Sequence, residues 1–199
     1  MGGVLISYAS IADLKAVLNI EDTDDDTPLQ LALDAASSAI DAHCNRTFVA
    51  AGSATARTFS ADDRCRVTVD DIYTTTGLVV SNGNVALPAA VAYVSDGYEL
   101  GPVNAAAKGR PWTFLRHTAG AFSNITNAIV VTAKWGYAAT VPVAVEQACM
   151  LQASRIFSRR LSPFGIAGSP DLGSEVRLLA RVDADVAVLL RSLVRGWVR

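Results

Sequence analysis

Between Pro28 and Cys44 the apolar residues Leu29, Ala32, Leu33, Ala36, Ala39, Ile40 and His43 return every third or fourth position, and Gln30, Asp34, Ser37, Ser38 and Asp41 take the opposite side. That period marks a helix of about four turns with one buried stripe, and such a stripe obliges the rest of the chain to supply a core against it. Pro28 suits the first helical position, where a missing N–H costs nothing, with Asp26 or Thr27 as the cap. On this apolar face His43 reads as a core imidazole rather than a ligand.

A shorter helix precedes it. Ile11, Leu14 and Leu18 share a face, Ser10 stands at the cap, and Asp13 three residues later makes a variant of the capping box. Between the two helices Asp22, Asp24 and Asp26 match the first three ligands of a calcium loop. That loop also needs glycine where Thr27 stands and a bidentate glutamate where Leu33 stands, so the acids read as a solvated turn and a cap.

From Thr47 to about Thr140 the signals become those of short strands, at residues 56–59, 65–69, 78–80 and 129–133, separated by glycine, asparagine and aspartate. Ser81-Asn82-Gly83-Asn84 carries the Asn-Gly pair of a tight hairpin. Tyr98, Trp112, Phe114, Trp135 and Tyr137 supply the filling, and Asp62-Asp63 and Asp70-Asp71 read as turn residues. Pro142 reopens helix, with Val145, Ala148, Cys149, Ala153, Ile156 and Phe157 on one stripe and Arg155, Arg159 and Arg160 crowding its last turn. A glycine- and proline-rich loop covers residues 162–174. Asp183 then caps a final helix whose stripe runs Val186, Leu189, Leu190, Leu193 and Trp197. The expected class is therefore α+β: a helical core from residues 1–46 and 141–199, with a β-rich insertion, 47–140, between the second and third main helices.

Composition narrows the function. With 51% hydrophobic and 18% charged residues the chain folds rather than staying disordered, and a net charge of −2 gives no general attraction for nucleic acid. The charge is uneven. Residues 1–50 carry two cations against eight acids, and residues 151–199 carry eight arginines against four acids, a polarity suited to head-to-tail packing of copies. Cys44, Cys65 and Cys149 are scattered and odd in number, as for small apolar residues in a reducing compartment. The opening MGGVLISYAS lacks the pattern of an export signal, no stretch approaches the roughly 20 apolar residues of a membrane span, and two Asn-X-Thr triplets read as chance. No HExxH, CxxC, Walker, GxGxxG or GxSxG pattern occurs, so no catalytic, cofactor-binding or metal residue is expected, and no cofactor.

The segment YASIADLKAVLNIEDTDDDTPLQLALDAASSAIDAHCNRTF, with its short helix, acidic spacer and long helix closing on Cys-Asn-Arg-Thr-Phe, resembles the head-tail connector (adaptor) proteins of long-tailed bacteriophages. Pro142 to Arg160, then Ser162-Pro163-Phe164-Gly165 and an Asp-capped terminal helix rich in arginine, is similar to that family's second half. The resemblance rests on residues 8–48 and 142–199. It implies a structural virion protein without enzymatic activity, made in the host cytoplasm and placed in the neck. There a homo-oligomeric ring of twelve copies joins the portal to a stopper or tail-completion protein. Genomic DNA passes through during ejection without sequence-specific binding, and no membrane is involved.

The residues expected to act follow from that reading. Leu190, Arg191, Leu193, Arg195, Trp197 and Arg199 are expected to dock on the portal. Pro163, Phe164 and Ile166 are expected to contact the neighbouring copy, and Asp24, Asp25 and Asp26 to line the channel or the lateral surface. The alternative is a small-molecule-binding or enzymatic α+β domain with a pocket in the β-rich insertion, for which convergent polar groups in a deep cavity would be the sign.

Overall fold

The computed structural model describes residues 6–89, 97–160, 166–167, 176–177 and 182–196. These form two compact units, one from residues 6–45 and 141–196 and the other from residues 46–140.

In the helical unit, α1 (Ile11–Leu18) starts where Ser10 Oγ accepts from the Asp13 N–H at 3.1 Å, and it stops at Asn19 in the left-handed region. The long helix α2 (Asp26–Cys44) begins two residues earlier than Pro28 predicts. Its cap position is Asp25, which makes no capping hydrogen bond because its carboxylate is turned to the Arg160 guanidinium, 2.8 Å away. Pro28 therefore sits third in the helix, still inside the first turn where N–H groups lack intrahelical partners. Asn45 closes the helix at φ 52°, a conformation asparagine tolerates.

The stripe of α2 is buried through Leu29, Ala32, Leu33, Ala36, Ile40 and Cys44, and it packs on α3 (Val143–Arg159), whose Val145, Ala148, Cys149 and Ala153 face it across the core. His43 is exposed, contrary to the spacing argument: the stripe continues four residues from Ile40, to Cys44, not three. Ser37, assigned to the polar side, is buried. Its hydroxyl donates to the Leu33 carbonyl at 2.9 Å and accepts from the Tyr8 N–H at 3.0 Å, so burial leaves nothing unsatisfied. Burial pushes the thiol of Cys149 up, which keeps it a neutral, apolar core group.

The final helix is shorter than its stripe predicts: α4 spans Ala184–Leu190. Asp183 caps it as expected, accepting from Asp185 N at 2.7 Å. Beyond Leu190 the chain turns, with Leu193 N and Val194 N both on the Leu190 carbonyl, and the Arg195 N–H reaches the Cys44 carbonyl at 2.9 Å. That carbonyl belongs to the last turn of α2, which lacks an intrahelical donor, so leaving the helix satisfies an otherwise orphaned group.

The second unit is a six-stranded antiparallel sheet of β1 (Thr55–Phe59), β2 (Arg66–Asn82), β3 (Val85–Leu87), β4 (Tyr98–Gly101), β5 (Trp112–His117) and β6 (Ile129–Trp135). Its order is β1-β6-β2-β5-β4, with β3 paired to β2. The runs 65–69 and 78–80, expected as separate strands, are one 17-residue strand, whose pairing with β6 shifts register between Ile72 and Val79. Gly77 at φ 79° lies in that irregular stretch, so the glycine marks a bulge where a turn was expected. The hairpin from β2 to β3 turns at Gly83-Asn84, since Asn82 pairs with Val85. Val67, Val69, Ile72, Val80, Leu115, Ile129, Val131 and Ala133 form the buried cluster. In chain order the sheet stands between the second and third helices, so the α+β class is as expected.

At the start of this unit the Arg46-Thr47-Phe48 triplet makes a knot. Phe48 is fully buried against Tyr137, the Arg46 guanidinium lies 5.2 Å from the Tyr137 ring, and its Nε is 3.4 Å from buried Asp71. Tyr137 N donates to Thr47 O at 3.0 Å and Ala50 N to Ala138 O at 2.9 Å. Gly136, at φ 138°, permits this approach, because a Cβ there would fall 2.5 Å from Ala50 Cα. Asp70 and Asp71 are thus strand residues held by Arg57 and Arg46, and not a turn.

Candidate interaction surfaces

The acidic turn before α2 is partly committed inside the helical unit. Asp26 pairs with Lys15 Nζ at 2.7 Å and Asp25 with Arg160, which holds the Asp25 carboxyl below the usual carboxylate value through the guanidinium hydrogen bond. Of the three expected lateral or channel acids, Asp24 faces solvent, with Asp22 beside it accepting the Asp24 N–H at 3.2 Å.

The other flank of α2 is closed by the N-terminal segment. Ser7 Oγ donates to Asp34, Gln30 Nε2 donates to Ser7 Oγ at 2.9 Å, and the Tyr8 hydroxyl donates to Asp41. Desolvation there pushes the Asp41 carboxyl up, with the Tyr8 hydrogen bond acting the other way. So the charged side of α2 is used internally. The fully exposed residues of α2 are Thr27, Gln30, Leu31, Ala35, Ser38, Ala42 and His43.

Among the expected portal-docking residues, Leu190 is fully buried in the subunit's own core, as is Val186, while Arg191 is exposed and Leu193 and Arg195 are half-buried after the helix has ended. Trp197 and Arg199 lie outside the described residues. So do Pro163 and Phe164 of the expected intersubunit loop. Ile166 falls in β7 (Ile166–Ala167), which pairs antiparallel with β8 (Val176–Arg177).

In the sheet unit a half-open groove of about 590 Å³ is lined by residues 61–64 and 121–124. Its acids are engaged locally: Asp62 accepts from Thr68 Oγ1 at 2.6 Å and Asp63 from the Cys65 N–H at 2.7 Å. Asn82 pins the opposite wall, donating to Ala121 O and accepting from Ser123 N. Nearby His117 is buried, with Nδ1 accepting from Gly120 N at 3.0 Å and its ring edge-on to Phe122. These groups brace the walls and do not converge on the space between them. Among the described residues no group of three or more His, Cys, Asp or Glu is placed to hold a metal ion, and no helix is long and apolar enough to cross a membrane.

Residues 8–82 match the family model of the phage gp6-like head-tail connector protein. The connector resemblance read from the opening segment is borne out by this match. Two solved structures are similar over the full chain. One is described as the neck of an empty gene transfer agent (GTA) particle computed with C6 symmetry, at 18% identity, with a TM-score of 0.59 over 100% of this chain and 95% of that one. The other is described as the neck of a native particle computed with C12 symmetry, at 17% identity and a TM-score of 0.57 with the same coverage. A chain from a virion of the native particle matches at 20% identity and a TM-score of 0.50 over 88% of this chain and 94% of that one. At these identities the likeness is one of fold. No curated protein matches the chain.

Proposed function

We infer that this chain is a ring-forming subunit of a head-to-tail connector, a structural virion protein of the neck. It joins the portal to a stopper or tail-completion protein and encloses the channel through which DNA leaves. The observation that carries the reading is that its fold matches neck chains over all of its own length and 95% of theirs, in particles whose necks were computed with sixfold and twelvefold symmetry. Twelve copies is the corresponding ring. Such a role asks for faces and arms and needs no catalytic residue, which suits a groove whose polar groups are spent on its own walls.

In this reading the segment after Leu190 is the portal-docking arm, with Arg191, Leu193, Arg195, Trp197 and Arg199, while Leu190 anchors it in the subunit. Pro163, Phe164 and Ile166 reach the neighbouring copy. Asp24 gives the surface a negative charge that passing DNA does not adhere to. The test is retention on immobilised portal: the full chain is expected to bind and a chain ending at Leu190 to be lost, with the same thermal transition. Full-length protein that ignores the portal would overturn the reading.

A further inference from the structure

Between β4 and β5 the chain runs through residues 102–111, a longer connection than the roughly two to five residues that close an ordinary hairpin. The extra length is folded on itself. Ala105 N donates to Pro102 O at 3.0 Å, and the Ala105 carbonyl accepts from both Lys108 N at 3.0 Å and Arg110 N at 2.9 Å. Gly109, at φ 60°, lets the chain turn between them. Lys108 and Arg110 thus share one tight turn. Both are exposed, and among the described residues neither side chain has an ion-pair or hydrogen-bond partner. No acidic residue occurs from 100 to 145. Val103, in the same loop, is 81% exposed, the highest value among the large apolar residues described.

The opposite combination stands at the end of α1. There the turn is ordered by its own hydrogen bonds, Ile20 N donating to Lys15 O at 3.0 Å and Asp24 N to Asp22 Oδ1 at 3.2 Å. Asp25 and Asp26 are spent on Arg160 and Lys15. Glu21 and Asp22 are exposed, and among the described residues neither carboxylate has a cation beside it. No lysine or arginine occurs from 16 to 45. Val17, in the last turn of α1, is 57% exposed.

We propose that the loop at 102–111 of one copy docks on the α1–α2 turn of the next, with Lys108 and Arg110 against Glu21 and Asp22, and Val103 beside Val17. This rests on the connector reading above and names a lateral contact of the ring. The occupant is a second copy because each surface carries charge of one sign that its own subunit leaves uncompensated, and the same chain supplies the complement. DNA phosphates would answer the two cations but would leave Val103 and the acidic turn without a role. Because the two surfaces differ, the contact propagates from copy to copy and closes where the rotation allows. Both are held by their own backbone hydrogen bonds, so docking costs little further ordering.

Charge exchange in the full chain tests this, with assembly followed by sedimentation velocity and electron microscopy. Lys108→Glu with Arg110→Glu is expected to raise the concentration of half-assembly by about tenfold or more, and so is Glu21→Lys with Asp22→Lys, since each sets like charges against each other. All four positions are exposed, so the thermal transition of the subunit is expected to stay where it is. A chain carrying all four substitutions is expected to regain the assembly of the parent. Rings from both paired variants at the parent's concentration would overturn these faces while leaving the ring reading intact. A fourfold variant as impaired as the loop variant would also overturn the proposal, by giving the loop to another partner. Dimers as the largest species, or no assembly of the parent with or without portal, would overturn the ring reading and the proposal together.

Discussion

At the scale of single residues, the spacing of two side chains decides more than their type. Arg46 and Asp71 lie under the surface beside Tyr137, although the sequence reads Asp70-Asp71 only as turn residues. Nothing in the spacing of Asp70-Asp71 distinguishes the buried acid from its half-exposed neighbour, because their partners, Arg46 and Arg57, stand 25 and 13 residues upstream. Removing one member leaves the other desolvated, so Arg46→Ala is expected to cost about 3–5 kcal/mol in urea unfolding; a cost under about 1 kcal/mol would mean that the pair is not what holds the knot. Asp25 makes a separate prediction through pH. Its folded carboxyl is held below the unfolded value, first by the Arg160 hydrogen bond. The pair's stabilisation is therefore present above the ordinary carboxylate range and is lost as pH falls through the lowered value. In Arg160→Gln the Asp25 resonance followed by NMR should titrate at a higher pH than in the parent chain; an unmoved titration would remove Arg160 as the cause. Asp41, shifted upward by desolvation, contributes in the opposite sense.

At the scale of elements, what was legible is what repeats locally. The period of α2, the Ser10 and Asp183 caps, the hairpin at Gly83 and the strand at Ile129–Val131 all declare themselves within a few residues, and each is present. Four things were not legible, each for a tertiary reason. Ser37 looks polar but supplies its own internal partners, and His43 looks apolar by spacing but loses the position to Cys44. The strand β2 looks like two because its bulge carries Gly77. The helix α4 looks long because Leu193 keeps the period, although the backbone has already turned towards Cys44. That turn divides the C-terminal residues by role. Val186 and Leu190 are fully buried on α3, so Leu190→Ala is expected to destabilise the subunit by about 2–5 kcal/mol, measured by denaturant midpoint. Arg191→Ala, at an exposed position past the helix, is expected to change stability by no more than about 0.5 kcal/mol. Equal effects of the two would put the division in the wrong place.

At the scale of the whole molecule, the polarity between an acid-rich start and an arginine-rich end resolves into geometry within the helical unit. The acidic turn stands at the N-terminal end of α2, and the turn after α4 meets its C-terminal end, about 28 Å away for a 19-residue helix. Sequence alone shows the imbalance; it cannot show that Asp25 and Asp26 are partly neutralised inside the subunit while Asp22 and Asp24 are left facing outwards. The central claim is that these features serve a closed ring on a portal. It is tested most directly by class averages from electron microscopy of the purified full-length chain mixed with its portal. The account predicts a twelvefold annulus of this protein stacked coaxially on the portal, and a portal imaged alone beside free monomers, at concentrations well above those of assembly, would contradict it.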